Sequence, residues 1–356
     1  MEIRTIIDQL WESSGVSRKD LLYLVQNINQ EEKEYLMQKA REKAEETYSK
    51  RVFMRGLIEF TNYCKNDCYY CGIRHSNKKA VRYRLSLEDI LDCCKTGFDL
   101  GYRTYVLQGG EDLYFTDDRV VEIIKSINAN YPGCAITLSI GEKSCESYKR
   151  YFEAGADRYL LRHETADEDH YKRLHPESMS LTNRKECLFN LKELGFQVGS
   201  GFMVGTPYQS SANLVDDLLF LKELNPHMVG IGPFIPHKDT DFKDASPGTL
   251  DTSLLMIALA RLLLPKALIP ATTALGTIDP LGREKGLAAG ANVVMPNLSP
   301  VNVRDKYMLY DNKICTGDEA AECRYCIERR IQSAGFDVDM ARGDYPSEVL
   351  NTIAPN

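Results

Sequence analysis

The chain has 356 residues, 43% of them hydrophobic, with 24 glycines, 14 prolines and a formal charge of −7. That length exceeds the usual size of one hydrophobic core unless the fold is a barrel, and the net acidity excludes a general nucleic-acid binder, leaving Arg82/Arg84 and Arg329/Arg330 as local candidates for phosphate or carboxylate contacts. No signal peptide precedes residue 20 and no apolar run reaches the length of a membrane span, so a soluble, cytoplasmic enzyme is expected, with neither membrane nor nucleic acid as partner.

In chain order, residues 1–50 predict helices outside the main fold. Ile6, Ile7, Leu10 and Trp11 form a short apolar face. Ser17 is placed to cap the segment carrying Leu21, Leu22, Leu24 and Val25, and a charged helix is expected over about residues 30–48. Short apolar runs then alternate with amphipathic stretches. The runs are GLIEFT (56–61), TYVLQGG (104–110), AITLSIG (135–141), RYLLRHE (158–164), VGSGFMVG (198–205), MVGIGPF (228–234), LIPATTA (268–274) and ANVVMP (291–296). Eight strand candidates separated by about seven helical segments predict a TIM-type (β/α)8 barrel over 51–310, with a helical segment at 1–50 and a cysteine-containing extension at 311–356. In such a barrel the chemistry stands at the C-terminal ends of the strands. Asn62 and a cysteine loop fall there, as do Gly109, Gly110, Glu111 and Asp112, then Ser139 and Glu142, Arg162 and Glu164, Thr272 and Thr273, and Met295 with Asn297. His163 is expected to face away from the mouth, because side chains alternate along a strand.

Eleven cysteines need a use other than disulfides in a reducing compartment. Cys93, Cys94, Cys134, Cys145 and Cys187 are scattered and read as small core residues or surface passengers. The other six form two trios. In NYCKNDCYYCGIR (62–74), Cys64, Cys68 and Cys71 follow a three-then-two spacing. A structural zinc site closes four ligands around its metal, and His75 is the local candidate for a fourth. The alternative is a 4Fe-4S cluster held by three thiolates, which leaves one iron open to an exogenous chelator.

CKNDCYYC matches the CX3CX2C signature of radical SAM enzymes, and the GGE at 109–111 resembles the motif that binds the methionine amino group in that superfamily. The resemblance implies S-adenosylmethionine on the open iron of a cluster held by Cys64, Cys68 and Cys71, a low-potential electron donor, and reductive cleavage to a 5′-deoxyadenosyl radical. It places Tyr70 near the adenine, the favoured reading; the bland alternative is packing on the loop.

The chain further resembles the HydE subgroup, maturases that help assemble the active-site di-iron cluster of FeFe hydrogenase. RGLIEFTNYCKNDCYYCGIR (55–74), LQGGED (107–112), EAGADRYLLRHETA (153–166), LVDDLLFLKE (214–223), MVGIGPFIPH (228–237), IPATTALGT (269–277) and GANVVMPN (290–297) carry the resemblance. It implies that Arg162, Glu164 and Ser139 serve the SAM region together with Gly109, Gly110 and Glu111. It also implies a small anion-accepting cavity at Thr137, Arg162, Thr272, Thr273 and Met295, and a Tyr307 that faces the reacting carbon. Gly109 stands where a relative can carry serine, which removes a hydroxyl. The implied substrate is organometallic, a cysteine-bound iron carrying carbon monoxide and cyanide, and the implied partners are the other hydrogenase maturases. Read from the residues alone, Arg162 with the two threonine hydroxyls suits a small anion or carboxylate; the bland alternative is that Arg162 only pairs with Glu164.

The second trio, Cys315, Cys323 and Cys326, has a seven-then-two spacing in a polar segment. It resembles the accessory two-iron or four-iron site of some HydE proteins; free thiols of a degenerate site and structural zinc are the other readings. For the whole chain the rivals are a related radical enzyme, either a methylornithine-type amino-acid mutase or a biotin-synthase-like sulfur transferase, and a non-catalytic cluster scaffold.

Overall fold

The structure, a computed structural model, describes residues 2–13, 15–314 and 324–346; Cys315 and Cys323 lie outside them. Three helices lead the chain, Ile3–Ser13, Arg18–Asn27 and Gln30–Tyr48. Ser17 caps the second as its sequence position predicts, its hydroxyl accepting from the Asp20 N–H, and Asn29 with Glu32 forms a reciprocal capping box on the third. Their buried faces, with Ile6, Ile7, Leu10, Leu21 and Leu36, join the same apolar cluster as the centre of the molecule. The third helix packs along Leu250–Leu263, where Ser253 through Leu263 are all buried.

The strands are β1 (Arg51–Met54), β2 (Gly56–Thr61), β3 (Thr104–Gly109), β4 (Ala135–Ser139), β5 (Arg158–Leu160), β6 (Gln197–Ser200), β7 (Met203–Val204), β8 (Met228–Val229), β9 (Gly232–Pro233), β10 (Val293–Val294) and β11 (Asp337–Asp339). β2-β3-β4-β5-β6-β8 form one parallel sheet, β10-β1-β11 a second and β7-β9 a third. Helices such as Leu87–Asp99, Asp117–Asn130, Leu181–Glu193 and Ser211–Leu224 flank them. The result is the partial (β/α) barrel of an α/β fold. The eight complete strands expected from the sequence are not all present as ladders. Residues 268–274 make only isolated bridges, Leu268 to Met228 and Pro270 to Val293, because Pro270 has no N–H to donate and Thr273 already opens a helix. β11, which the sequence reading did not anticipate, adds to the outer edge of β1.

At the N-terminal ends of the strands, residues 342–344 lie across the barrel floor. Arg55 donates to the Gly343 carbonyl at 3.1 Å, and Thr104 and Arg158 both donate to the Arg342 carbonyl, at 2.8 and 2.9 Å. Arg158, fully buried, also pairs with Asp344 at 2.6 Å. Burial pushes the Asp344 carboxyl up, but Arg342 and Arg158 outweigh it and hold it at about 2. Of the scattered cysteines, Cys93, Cys94, Cys134 and Cys187 are buried and Cys145 is exposed. Among the described residues no helix is long and apolar enough to cross a membrane.

Candidate active site

The loop that carries the first cysteine trio leaves the end of β2 and is stitched from within. Asn62, fully buried, donates to the Val81 and Lys306 carbonyls at 2.8 and 2.7 Å. Arg82 donates to the carbonyls of Asn62, Ile73, Arg74 and Asn77. Arg84 grips Asp112 through two hydrogen bonds of 2.7 and 2.9 Å. These two arginines, expected from sequence as candidate phosphate or carboxylate contacts, are therefore occupied in shaping the loop and the end of β3. Arg330 is likewise paired with Glu284.

The three thiols are partly buried. Burial pushes each of them up, Cys71 to about 12, and the charge of a neighbouring cysteine raises Cys68 and Cys71 further. Such a trio resists becoming three thiolates unless cationic metal compensates, so its donor chemistry fits an iron–sulfur cluster. Among the described residues no three His, Cys, Asp or Glu side chains converge as ligands of a single ion would. Cys326, the described member of the second trio, is exposed.

Gly110 lets this loop approach β3: a Cβ there would stand 2.2 Å from the Tyr63 carbonyl oxygen and 2.8 Å from Cys64 Cβ. Glu111 follows, with its carboxylate 3.1 Å from Lys65 Nζ and accepting from the Glu142 N–H at 2.9 Å. Gly141, at φ +76°, is the surface on which Glu111 lies, since a Cβ would fall 2.0 Å from Glu111 Cγ.

Inside the barrel mouth a cavity of ≈ 220 Å³ is lined by Tyr70, Cys71, Arg162, Glu164, Thr272, Thr273 and Met295 among others. These seven predicted site residues come together. Thr137 and Tyr307 are buried outside the lining, Ser139 ends β4 beside Gln108, and Gly109, Gly110 and Glu111 belong to the neighbouring loop wall. Burial, and then the charge of Glu59, pushes the Tyr307 phenol well up. Tyr70 is oriented by a residue that sequence reasoning missed. His175 Nδ1 lies 3.1 Å from the Tyr171 carbonyl, which only a donor satisfies; Nε2 is therefore the acceptor for the Tyr70 hydroxyl at 3.2 Å. Burial pushes His175 down to about 3 and the Tyr70 phenol well up.

Arg162 Nη2 lies 3.1 Å from Glu164 Oε2 without hydrogen-bond geometry, and Arg162 Nε and Thr272 Oγ1 are buried with no partner. Glu164 holds φ +67°, uncommon for a side chain with a Cβ and concentrated at functional positions. Between them His163 points away from the cavity as expected, although β5 ends at Leu160, its Nδ1 2.9 Å from Ser200 Oγ and its Nε2 3.3 Å from Asp217. Two further lining residues, Glu59 and Lys313, form an ion pair of 2.5 Å that was not anticipated. A charged residue in the middle of the apolar run GLIEFT was the available signal.

A parallel partial barrel with a three-cysteine loop after β2 and a Gly-Gly-Glu stretch at the end of β3 defines an α/β scaffold suited to holding an iron–sulfur cluster. Residues 58–221 match the Radical SAM superfamily. The chain is 49% identical over 80% of its length to the [FeFe] hydrogenase maturase subunit HydE of Thermotoga maritima, covering 81% of that protein. It is 32% identical to the 3-methylornithine synthase of Methanosarcina acetivorans, with 93% of this chain and 92% of that protein covered. The crystal structure of methylornithine synthase (PylB) superposes with a TM-score of 0.81 at 28% identity, over 94% of this chain and 97% of that one. The chain belongs to the radical SAM superfamily and is an enzyme of that class, whose cofactors are S-adenosylmethionine and an iron–sulfur cluster.

Proposed function

We propose that Cys64, Cys68 and Cys71 hold a 4Fe-4S cluster with one iron left for S-adenosylmethionine, and that the cavity beside Cys71 receives a small amino-acid-derived substrate. When bound and reduced, these groups supply a 5′-deoxyadenosyl radical. Tyr70 orients the adenosyl moiety, with Gly109, Gly110, Glu111 and Ser139 on the methionine side. Arg162, Thr272 and Thr273 take the substrate's anionic group, and Tyr307 backs the reacting end. The observation that carries this is the meeting of Cys71, Tyr70 and the Arg162–Glu164 pair on one cavity. In this reading the bridges through Leu268, Pro270 and Asn297 complete an eight-position ring over 51–310, and 311–356 carries an accessory cluster through Cys315, Cys323 and Cys326.

Two uses of the radical compete. An amino-acid mutase or related sulfur-transfer activity has the broader support, because the methylornithine synthases match the chain nearly end to end in sequence and in solved structure. A maturase acting on a cysteine-bound iron carbonyl cyanide, with a low-potential electron donor and the other maturases as partners, is supported by 49% identity over 80% of the chain. Anaerobically reconstituted, dithionite-reduced protein is expected to release 5′-deoxyadenosine. Rearranged lysine would establish the mutase, and hydrogenase activation only with the iron precursor the maturase. Binding of clusters without any 5′-deoxyadenosine would reject both.

A further inference from the structure

The Glu59–Lys313 pair is expensive to bury and is no requirement of the fold, since apolar residues of similar volume commonly replace such pairs without loss of stability. It is nevertheless held rigidly. Lys313 Nζ donates to Glu59 Oε1 at 2.5 Å and to the Tyr307 carbonyl at 2.9 Å. Glu59 Oε2 accepts from Asn297 at 2.9 Å, Asn297 is fixed in turn by the Ser299 N–H at 2.9 Å, and the Glu59 N–H donates to Ser299 Oγ at 2.7 Å. An ammonium has three protons and each carboxylate oxygen two lone pairs. One N–H of Lys313 and one lone pair on each Glu59 oxygen therefore remain, and both residues line the cavity.

The charged side chains of that lining are two cations, Arg162 and Lys313, and two anions, Glu59 and Glu164. β3 and β4 stand between β2, which carries Glu59, and β5, beyond whose end Arg162 lies. A lining of balanced charge on separate walls disfavours a plain anion or cation and suits a ligand that carries both signs. We infer that Glu59–Lys313 is a binding site for the zwitterionic head group of an α-amino acid, its ammonium set against Glu59 and its carboxylate against Lys313. Arg162 and Thr272 are then left for a second polar group. This deepens the amino-acid-derived substrate proposed above and rests on that reading.

The test is calorimetry on anaerobically reconstituted protein saturated with S-adenosylmethionine, so that the cofactor's own amino-acid head is not the group measured. The probes are L-lysine, cadaverine, which lacks the carboxylate, and 6-aminohexanoate, which lacks the α-ammonium. L-serine, ethanolamine and 3-hydroxypropionate form a second series. In wild type, loss of either head group is expected to weaken binding at least tenfold. In Glu59→Gln/Lys313→Met, which leaves no lone buried charge, the amino acid is expected to bind at least tenfold more weakly and the analogues to differ from it by less than twofold. Where that variant does not fold, Glu59→Gln/Lys313→Gln, equally free of a lone buried charge, takes its place with the same expectation. Head-group preference that persists in folded variants, equal binding of all three compounds of a series to wild type, or no binding of either amino acid overturns the inference. Release of 5′-deoxyadenosine from the same wild-type preparation reports separately on the underlying reading.

Discussion

The Tyr70 hydroxyl is held 3.2 Å from His175 Nε2, with the His175 ring stacked on Tyr171 at a centroid separation of 3.9 Å. The histidine tautomer is fixed by the backbone, so the phenol has one orientation beside Cys71. Replacing His175 by Phe keeps the ring volume but removes the acceptor. We expect about a five- to tenfold loss in S-adenosylmethionine affinity, the value of one hydrogen bond of roughly 1 kcal/mol. Equilibrium binding to the reconstituted variant measures it; an unchanged dissociation constant would show that Tyr70 needs no such support.

The two cysteine trios should behave differently. Cys64→Ala, Cys68→Ala or Cys71→Ala is expected to abolish S-adenosylmethionine cleavage, whereas removal of Cys323 and Cys326 leaves most of it. Quantifying 5′-deoxyadenosine per iron bound compares them, and equal losses in the two sets would refute the assignment.

Gly110→Ala places a methyl group against backbone and the Cys64 side chain at distances no rotamer can relieve. Overpacking of this kind costs about 1–3 kcal/mol. The variant should melt several degrees lower and retain less iron after reconstitution than wild type.

Arg162→Lys is expected to weaken substrate binding at least tenfold although the charge is kept, because a planar fork and an ammonium present different donors. Titration of the substrate that proves active, at saturating S-adenosylmethionine, checks this; a wild-type affinity would move the anion site elsewhere.

Acid should destabilise the fold in two stages. Burial pushes His163 and His175 to about 3 from an ordinary 6.5, so between those values the unfolded chain binds more protons and stability falls as pH falls. Asp344, held at about 2 against an ordinary 3.8, continues the loss below pH 3.8. Each histidine accounts for on the order of 2–4 kcal/mol. Urea melts from pH 7 to pH 4 should slope downward, and His175→Phe should flatten part of that slope.

Much of this was legible in the sequence because it is local. The cysteine spacing, the Gly-Gly-Glu stretch and the opposite facing of Arg162 and His163 each lie within a few residues, and Ser17 caps the helix it precedes. What escaped depends on distant partners. Glu59 meets Lys313 across 254 residues, His175 reaches back to Tyr70 across 105, and Arg82 closes the cysteine loop through backbone carbonyls that no side-chain pattern advertises. The expected seventh strand failed for a local reason that was visible, a proline in the middle of an apolar run.

Residues 342–344 act as a stopper beneath the strands, gripped by Arg55, Thr104 and Arg158. A plug at this end bars the approach from beneath these strands, which suits an interior where a stray water would intercept a reactive species. Clipping the chain ahead of Arg342 would strip the buried Arg158 of its Asp344 counter-charge, so a deletion far from the cysteines would be felt at the foot of β2, β3 and β5.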